Sequence, residues 1–131
     1  MYINGFVVPV PADKKAEYKK LAEQFWEIAR DYGAQSQVEA WEADVKDGQL
    51  TDFRRAVNLQ AGEKVVFAWV IWKDRATADA SEEKMMADPR MKAMGTDMPF
   101  DAKRMIYGGF DPLVVREAKI VERHGSFSGS P

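Results

Sequence analysis

Eight apolar residues follow one another at Val65-Val66-Phe67-Ala68-Trp69-Val70-Ile71-Trp72, and no other stretch restricts the fold so closely. The run is far shorter than the roughly 20 residues of a membrane-crossing helix. Its β-branched and aromatic composition predicts a strand with both faces covered. Val65, Phe67, Trp69 and Ile71 fall on one side, and Val66, Ala68, Val70 and Trp72 on the other. Any architecture for this chain has to supply two apolar layers around that strand.

The surrounding elements supply one of them. Tyr2 to Val10 predicts a first strand, stopped by Pro9 and Pro11, which cannot donate to a ladder. Tyr18, Leu21, Ala22, Phe25, Ala29 and Tyr32 then recur at spacings of three and four, which predicts a helix over 13–32 with Gly33 just past its end. Residues 35–45 alternate as a second strand, with Glu39 and Trp41 on one face, and Lys46-Asp47-Gly48-Gln49 reads as a turn. Residues 51–58 fit a short helix slightly better than a strand.

After the long apolar strand, Asp74 predicts the cap of a helix over 75–87, with an apolar stripe of Ala78, Glu82, Met85 and Met86. Asp88-Pro89 starts a further helical turn that Gly95 ends, and 103–110 closes the domain as a fourth strand. The order strand, helix, strand, strand, helix, strand points to an α+β sandwich, a ferredoxin-like βαββαβ unit with an antiparallel sheet. Two helices cover one face of such a sheet. The other face would be an apolar patch larger than most monomers leave wet, so two chains are expected to pack sheet to sheet as a homodimer.

At 131 residues and 46% apolar content the chain fits one domain, read here as 1–110, followed by a C-terminal extension over 111–131. Within the extension, 113–123 could form a helix or an added strand against a partner chain, and 124–131 reads as a mobile end. Nineteen basic against 21 acidic residues leave a net charge of -2, which offers no long-range attraction for a phosphate backbone, so nucleic acid is an unlikely partner. There is no cysteine, which removes disulfides, thiol nucleophiles and thiolate metal sites and fits a reducing compartment. The N-terminus shows no basic leader and no segment long enough to span a bilayer, so a cytoplasmic location without membrane attachment is expected.

Several chemistries are unavailable. The single histidine, His124, lies in the extension, so the body of the domain has neither a multi-histidine metal centre nor a serine-histidine-acid triad. No glycine-rich phosphate loop or dinucleotide fingerprint occurs, so no cofactor and no metal are expected. Carboxylates, arginines and aromatics remain. Glu39 beside Trp41 is the candidate acid or base, because a carboxyl group held against an indole in a dry cleft has its charged form disfavoured. A structural ion pair is the alternative role for such a glutamate. Arg54 or Arg104 could anchor an acidic ligand through paired hydrogen bonds, or could simply lay its stem over the core edge. Tyr107, ahead of Gly108-Gly109, and the adaptable side chains of Met94 and Met98 complete the expected lining.

Residues 84–110, KMMADPRMKAMGTDMPFDAKRMIYGGF, hold six of the seven methionines. Together with YINGFVVPVPADKKAEY, VEAWEADVKDGQLTDFRRAV and VVFAWVIW, this segment closely resembles the YbaA-like family of small bacterial proteins of unknown function. The resemblance covers about residues 1–110. It implies the dimeric α/β-barrel superfamily, in which two ferredoxin-like chains join their sheets into a barrel, and it implies no particular activity. Distant members of that superfamily include cofactor-free monooxygenases, haem-degrading enzymes and small-molecule sensors, an analogy of fold alone. Haem degradation fits poorly because the barrel region has no histidine. The expectation is therefore a homodimeric barrel for a small, partly apolar, acidic metabolite, as a binding protein or as a cofactor-free enzyme. A non-catalytic interaction module, docking a protein through its dimer surface or its methionine-rich segment, is the alternative.

Overall fold

The computed structural model describes residues 1–118. Strands β1 (Tyr2–Pro11), β2 (Ala34–Trp41), β3 (Glu63–Trp72) and β4 (Ile106–Phe110) alternate with helices α1 (Lys15–Asp31), α2 (Phe53–Ala56), α3 (Arg75–Ala87) and α4 (Pro89–Ala93). The strands form one antiparallel sheet in the order β2-β3-β1-β4. β1 and β3, the two most apolar strands, therefore occupy its centre.

Register decides which residues face the helices. Tyr2 pairs with Trp72 in a core that also contains Ile28 and Ala29 of α1 and Ala78 and Met85 of α3, while Val8, paired with Val66, and Ala68, paired with Phe6, join a second core with Val10 and with Tyr18 of α1. Burying a side chain of that size contributes about 1.5–3 kcal/mol each. The indole Nε1 of buried Trp72 donates to Asn4 Oδ1 at 2.7 Å, so the one polar group it carries inward is satisfied. Pro9 lies opposite Val65, beyond the stretch of β1 that pairs with β4, where a missing N–H costs the sheet nothing.

The other side of the sheet is built by Ile3, Val7, Val38, Trp69, Ile71, Ile106 and Phe110, with Phe67 at its centre, 46% exposed. Phe53 of α2 meets Phe67 edge-on at 5.9 Å, and among the described residues no other helix packs on this face. Among the described residues, the second apolar layer expected over β3 is therefore present only at its start, where Val65 is buried and Phe53 meets Phe67.

Several boundaries differ from those expected. α1 begins at Lys15, after a 3-10 turn over Ala12–Lys14, and Gly33 follows its end with a φ of 108°. β2 stops at Trp41 rather than continuing to residue 45, because the Glu42 carboxylate takes the Val65 N–H at 2.8 Å in place of a backbone carbonyl. β4 begins at Ile106 rather than 103, because Arg104 is drawn into ion pairs with Asp101 and Glu63. On α3 the buried face is Ala78, Ser81 and Met85. Met86, expected in that stripe, points to solvent, while Ser81 returns its hydroxyl to Ala78 O at 2.6 Å. The aspartate caps form as expected: Asp74 accepts from Thr77 N–H and Asp88 from Arg90 N–H, each at 2.8 Å. Among residues 111–118 there is neither helix nor strand, and the expectations for 119–131, His124 included, lie outside the described residues.

Candidate functional site

β2 is an edge strand, and α1 crosses the helix-covered face beside it without filling the corner between them. The result is an open groove of about 1330 Å³ lined from α1 by Lys15, Tyr18, Ala22 and Trp26, and from β2 by Gln37, Glu39 and Trp41. The period of each element places these groups. Lys15, Tyr18, Ala22 and Trp26 are spaced by three or four residues along the helix, and Gln37, Glu39 and Trp41 by two along the strand.

Glu39 sits on the groove floor with both carboxylate oxygens occupied. The Tyr18 hydroxyl donates to Oε1 at 2.6 Å and Gln37 Nε2 donates to Oε2 at 3.0 Å. Glu39 as a whole is exposed, yet protein crowds its carboxyl group from below and water reaches it only from the open side. That partial desolvation raises its pKa above the ordinary 4.5, against the lowering effect of the Tyr18 and Gln37 donors. Buried Tyr18 moves the same way, mainly through desolvation and further through the Glu39 charge, so its phenol stays protonated and remains a donor. Gln37 also donates to Ala22 O at 3.3 Å, while its own Oε1 is buried without a partner. Lys15 Nζ lies 5.1 Å from the Trp41 ring centroid, a cation seated on an indole at one end of the groove.

The other expected lining residues lie elsewhere. Arg54 donates to Val45 O at 3.0 Å, to Asp47 at 3.2 Å and to Glu42 at 3.2 Å, which organises the loop after β2. Arg104 grips Glu63 with two bonds of 2.8 and 2.6 Å and Asp101 with a third of 2.9 Å, and holds the Glu63 carboxyl below its ordinary range. Both guanidinium groups are thus committed to this chain's own acids, which leaves little fork geometry for a ligand. Tyr107 stacks on Phe6 at a centroid distance of 6.3 Å on β4, three strands from Glu39, and is 72% exposed. Met94 lines a separate hollow between α1 and α4 with Arg90 and Asp97, and Met98 is half-buried outside the groove. Tyr18 and Gln37 are the site residues that sequence reasoning did not single out. A tyrosine within an apolar stripe needs a partner for its hydroxyl, and that was the available signal.

Asp88 forms a second polar cluster. It accepts from Arg90 N–H and side chain and from the Tyr32 hydroxyl at 2.8 Å, and these donors hold its carboxyl far below the ordinary 3.8. The cluster ties the start of α4 to the end of α1. Among the described residues no group of acids and histidine could hold a metal ion, and no helix is long and apolar enough to cross a membrane.

Residues 1–102 match the model of a family described as "Protein of unknown function (DUF1428)". The chain belongs to that family. The uncharacterized protein YbaA of Escherichia coli (strain K12) is 50% identical over 113 residues, which span 86% of this chain and 97% of that protein. Among solved structures, an uncharacterized NIPSNAP domain protein from Burkholderia xenovorans aligns with a TM-score of 0.55 at 18% identity, covering 90% of this chain and all of that one. Atu4242 from Agrobacterium tumefaciens aligns at 0.52 and 13% identity, covering 86% and 93%. At such identities the likeness is one of fold. Glu39, Tyr18 and Trp41 all lie within the residues that the DUF1428 model matches.

Proposed function

We propose that this DUF1428 protein is a homodimeric, ferredoxin-like barrel that binds a small, partly apolar molecule in the α1–β2 groove, with Glu39 as its acid-base group. The observation that carries the reading is the Glu39 carboxyl, held at 2.6 Å by a buried phenol on the floor of a groove walled by Trp26 and Trp41. A carboxyl whose pKa is raised by desolvation and whose donor partner is fixed can exchange a proton with a ligand more readily than a free carboxylate. Aromatic walls supply apolar contact, and the lysines at one end, Lys15 and Lys19, take over from Arg54 and Arg104 as the groups that would meet an acidic substituent. Dimerisation is supported by the apolar open face around Phe67 and Trp69, over which, among the described residues, only Phe53 of α2 reaches. Met91, Met94 and Met98 are half-buried, and Met91 and Met94 pack against the core, so these three methionines do not form an exposed docking patch, which favours the small-molecule reading over an interaction module built on them.

A thermal-shift screen of small aromatic and carboxylic compounds tests the reading. Compounds that stabilise the native chain should lose that effect in Trp41→Ala and change their pH dependence in Glu39→Gln. A ligand that stabilises all three proteins equally at every pH would place the site elsewhere.

A further inference from the structure

The groove that holds Glu39 has no outer wall. β2 is the last strand of the sheet on that side, and its free edge runs along the groove's open flank. Glu42 N–H bonds to Val65 O at 2.9 Å, so the alternation of an antiparallel ladder directs the backbone N–H and C=O of Trp41 and Glu39 outward, away from β3. A strand edge with unpaired groups is a template for another extended segment.

The same molecule carries such a segment without a place for it. Beyond β4 the chain continues as Asp111-Pro112-Leu113-Val114-Val115-Arg116, with no helix or strand, and Leu113, Val114 and Val115 are 96%, 70% and 49% exposed. Three consecutive apolar residues, two of them β-branched, suit an added strand and not a surface loop. Their own β2 edge is unsuitable. β4 and β2 are opposite edges of one sheet, three strand spacings or roughly 14 Å apart, with β1 and β3 between them. A dimer formed through the open faces can have its twofold axis along or across the strands, and the first of these sets β4 of one protomer over β2 of the other and so brings the tail to a partner's free edge. Ile106 and Phe110 lie on that face, so the apolar surface of the proposed interface continues directly into the tail.

We propose that residues 112–116 of one protomer pair with the free edge of β2 in the partner and form the outer wall of its Glu39 groove. This rests on the homodimer reading above, and it makes each site a product of two chains. The family match ends at residue 102, so the segment lies outside what the family model describes.

The chain contains no cysteine, which makes a cross-linking test clean. A full-length Ala40→Cys chain is co-expressed with a full-length chain carrying Leu113→Cys, Val114→Cys or Val115→Cys, and both are mildly oxidised. The expected result is a covalent heterodimer with at least one tail position and none with a control cysteine at Asp79 on α3. In parallel, Val114→Pro should keep the dimer mass by light scattering while exchange of the Glu39 and Trp41 amides quickens at least tenfold. A dimer that shows neither the cross-link nor the faster exchange overturns the tail assignment and leaves the dimer standing. A monomer overturns both.

Discussion

Replacing Tyr18 with phenylalanine removes one oxygen and leaves the ring packed edge-on against Phe100 at 5.8 Å. The lost interaction is a 2.6 Å hydrogen bond to a carboxylate, a class that contributes about 1.5–3 kcal/mol when both partners are dry. Water reaches Glu39 from the groove and can replace the phenol, so the loss falls to the bottom of that range or just below it, about 1–1.5 kcal/mol. For a domain of this size each kcal/mol is worth roughly 3–6 °C in Tm. The loss should also depend on pH. The phenol favours ionised Glu39, so it stabilises the fold most where Glu39 is charged, and the penalty of Tyr18→Phe should shrink as pH falls through the Glu39 pKa. Because the donor lowers that pKa, the variant's Glu39 should titrate at higher pH than the native residue. Thermal denaturation of both proteins from pH 4 to 8, with Glu39 followed by carboxyl NMR, measures both effects. A penalty independent of pH, or a Glu39 titration unmoved in Tyr18→Phe, would refute the coupling and with it the acid-base assignment.

Other consequences can be measured in the same way. Glu39 has a folded pKa above its ordinary 4.5, so its ionisation costs stability as pH rises between those two values; Glu39→Gln should flatten the pH dependence of Tm in that window. Asp88 is displaced in the opposite direction, so its contribution is present above its ordinary 3.8 and lost in stronger acid. Asp88→Asn should lower Tm at neutral pH and converge with the native protein on acid titration. A β-carbon on Gly109 would fall within the space of the Tyr2 phenol, a buried side chain that cannot swing aside, so Gly109→Ala should cost about 1–3 kcal/mol in denaturant titrations. Phe67→Asp, placed on the open sheet face, should leave a folded monomer by circular dichroism and light scattering if that face is the dimer contact.

The parts of the molecule governed by local chemistry were readable from the chain. The stripe of α1, the cap pairs Asp74 with Thr77 and Asp88 with Arg90, and the apolar run of β3 depend on neighbours within a few positions. What escaped depends on partners far apart in sequence. Arg104 reaches Glu63 across 41 positions and Tyr18 reaches Glu39 across 21, and neither pairing leaves a periodic trace. Arg54 and Arg104 looked available because an arginine beside an apolar strand reads the same whether its acid comes from a ligand or from its own chain. Glu39 and Trp41 were legible together because a strand's two-residue period fixes their common face.

Alternation along β3 divides its mutational tolerance into two regimes. At Val66, Ala68, Val70 and Trp72 a change must be absorbed by helices of the same chain, so variants there would be filtered by folding alone. Phe67, Trp69 and Ile71 lie on the other face, outside that core, so a polar replacement there should leave the core intact and, if the proposed dimer forms, act on association. A mutational scan scored once for abundance and once for association would separate Phe67, Trp69 and Ile71 from Val66, Ala68, Val70 and Trp72, with buried Val65 falling among the abundance-limited positions despite its odd register.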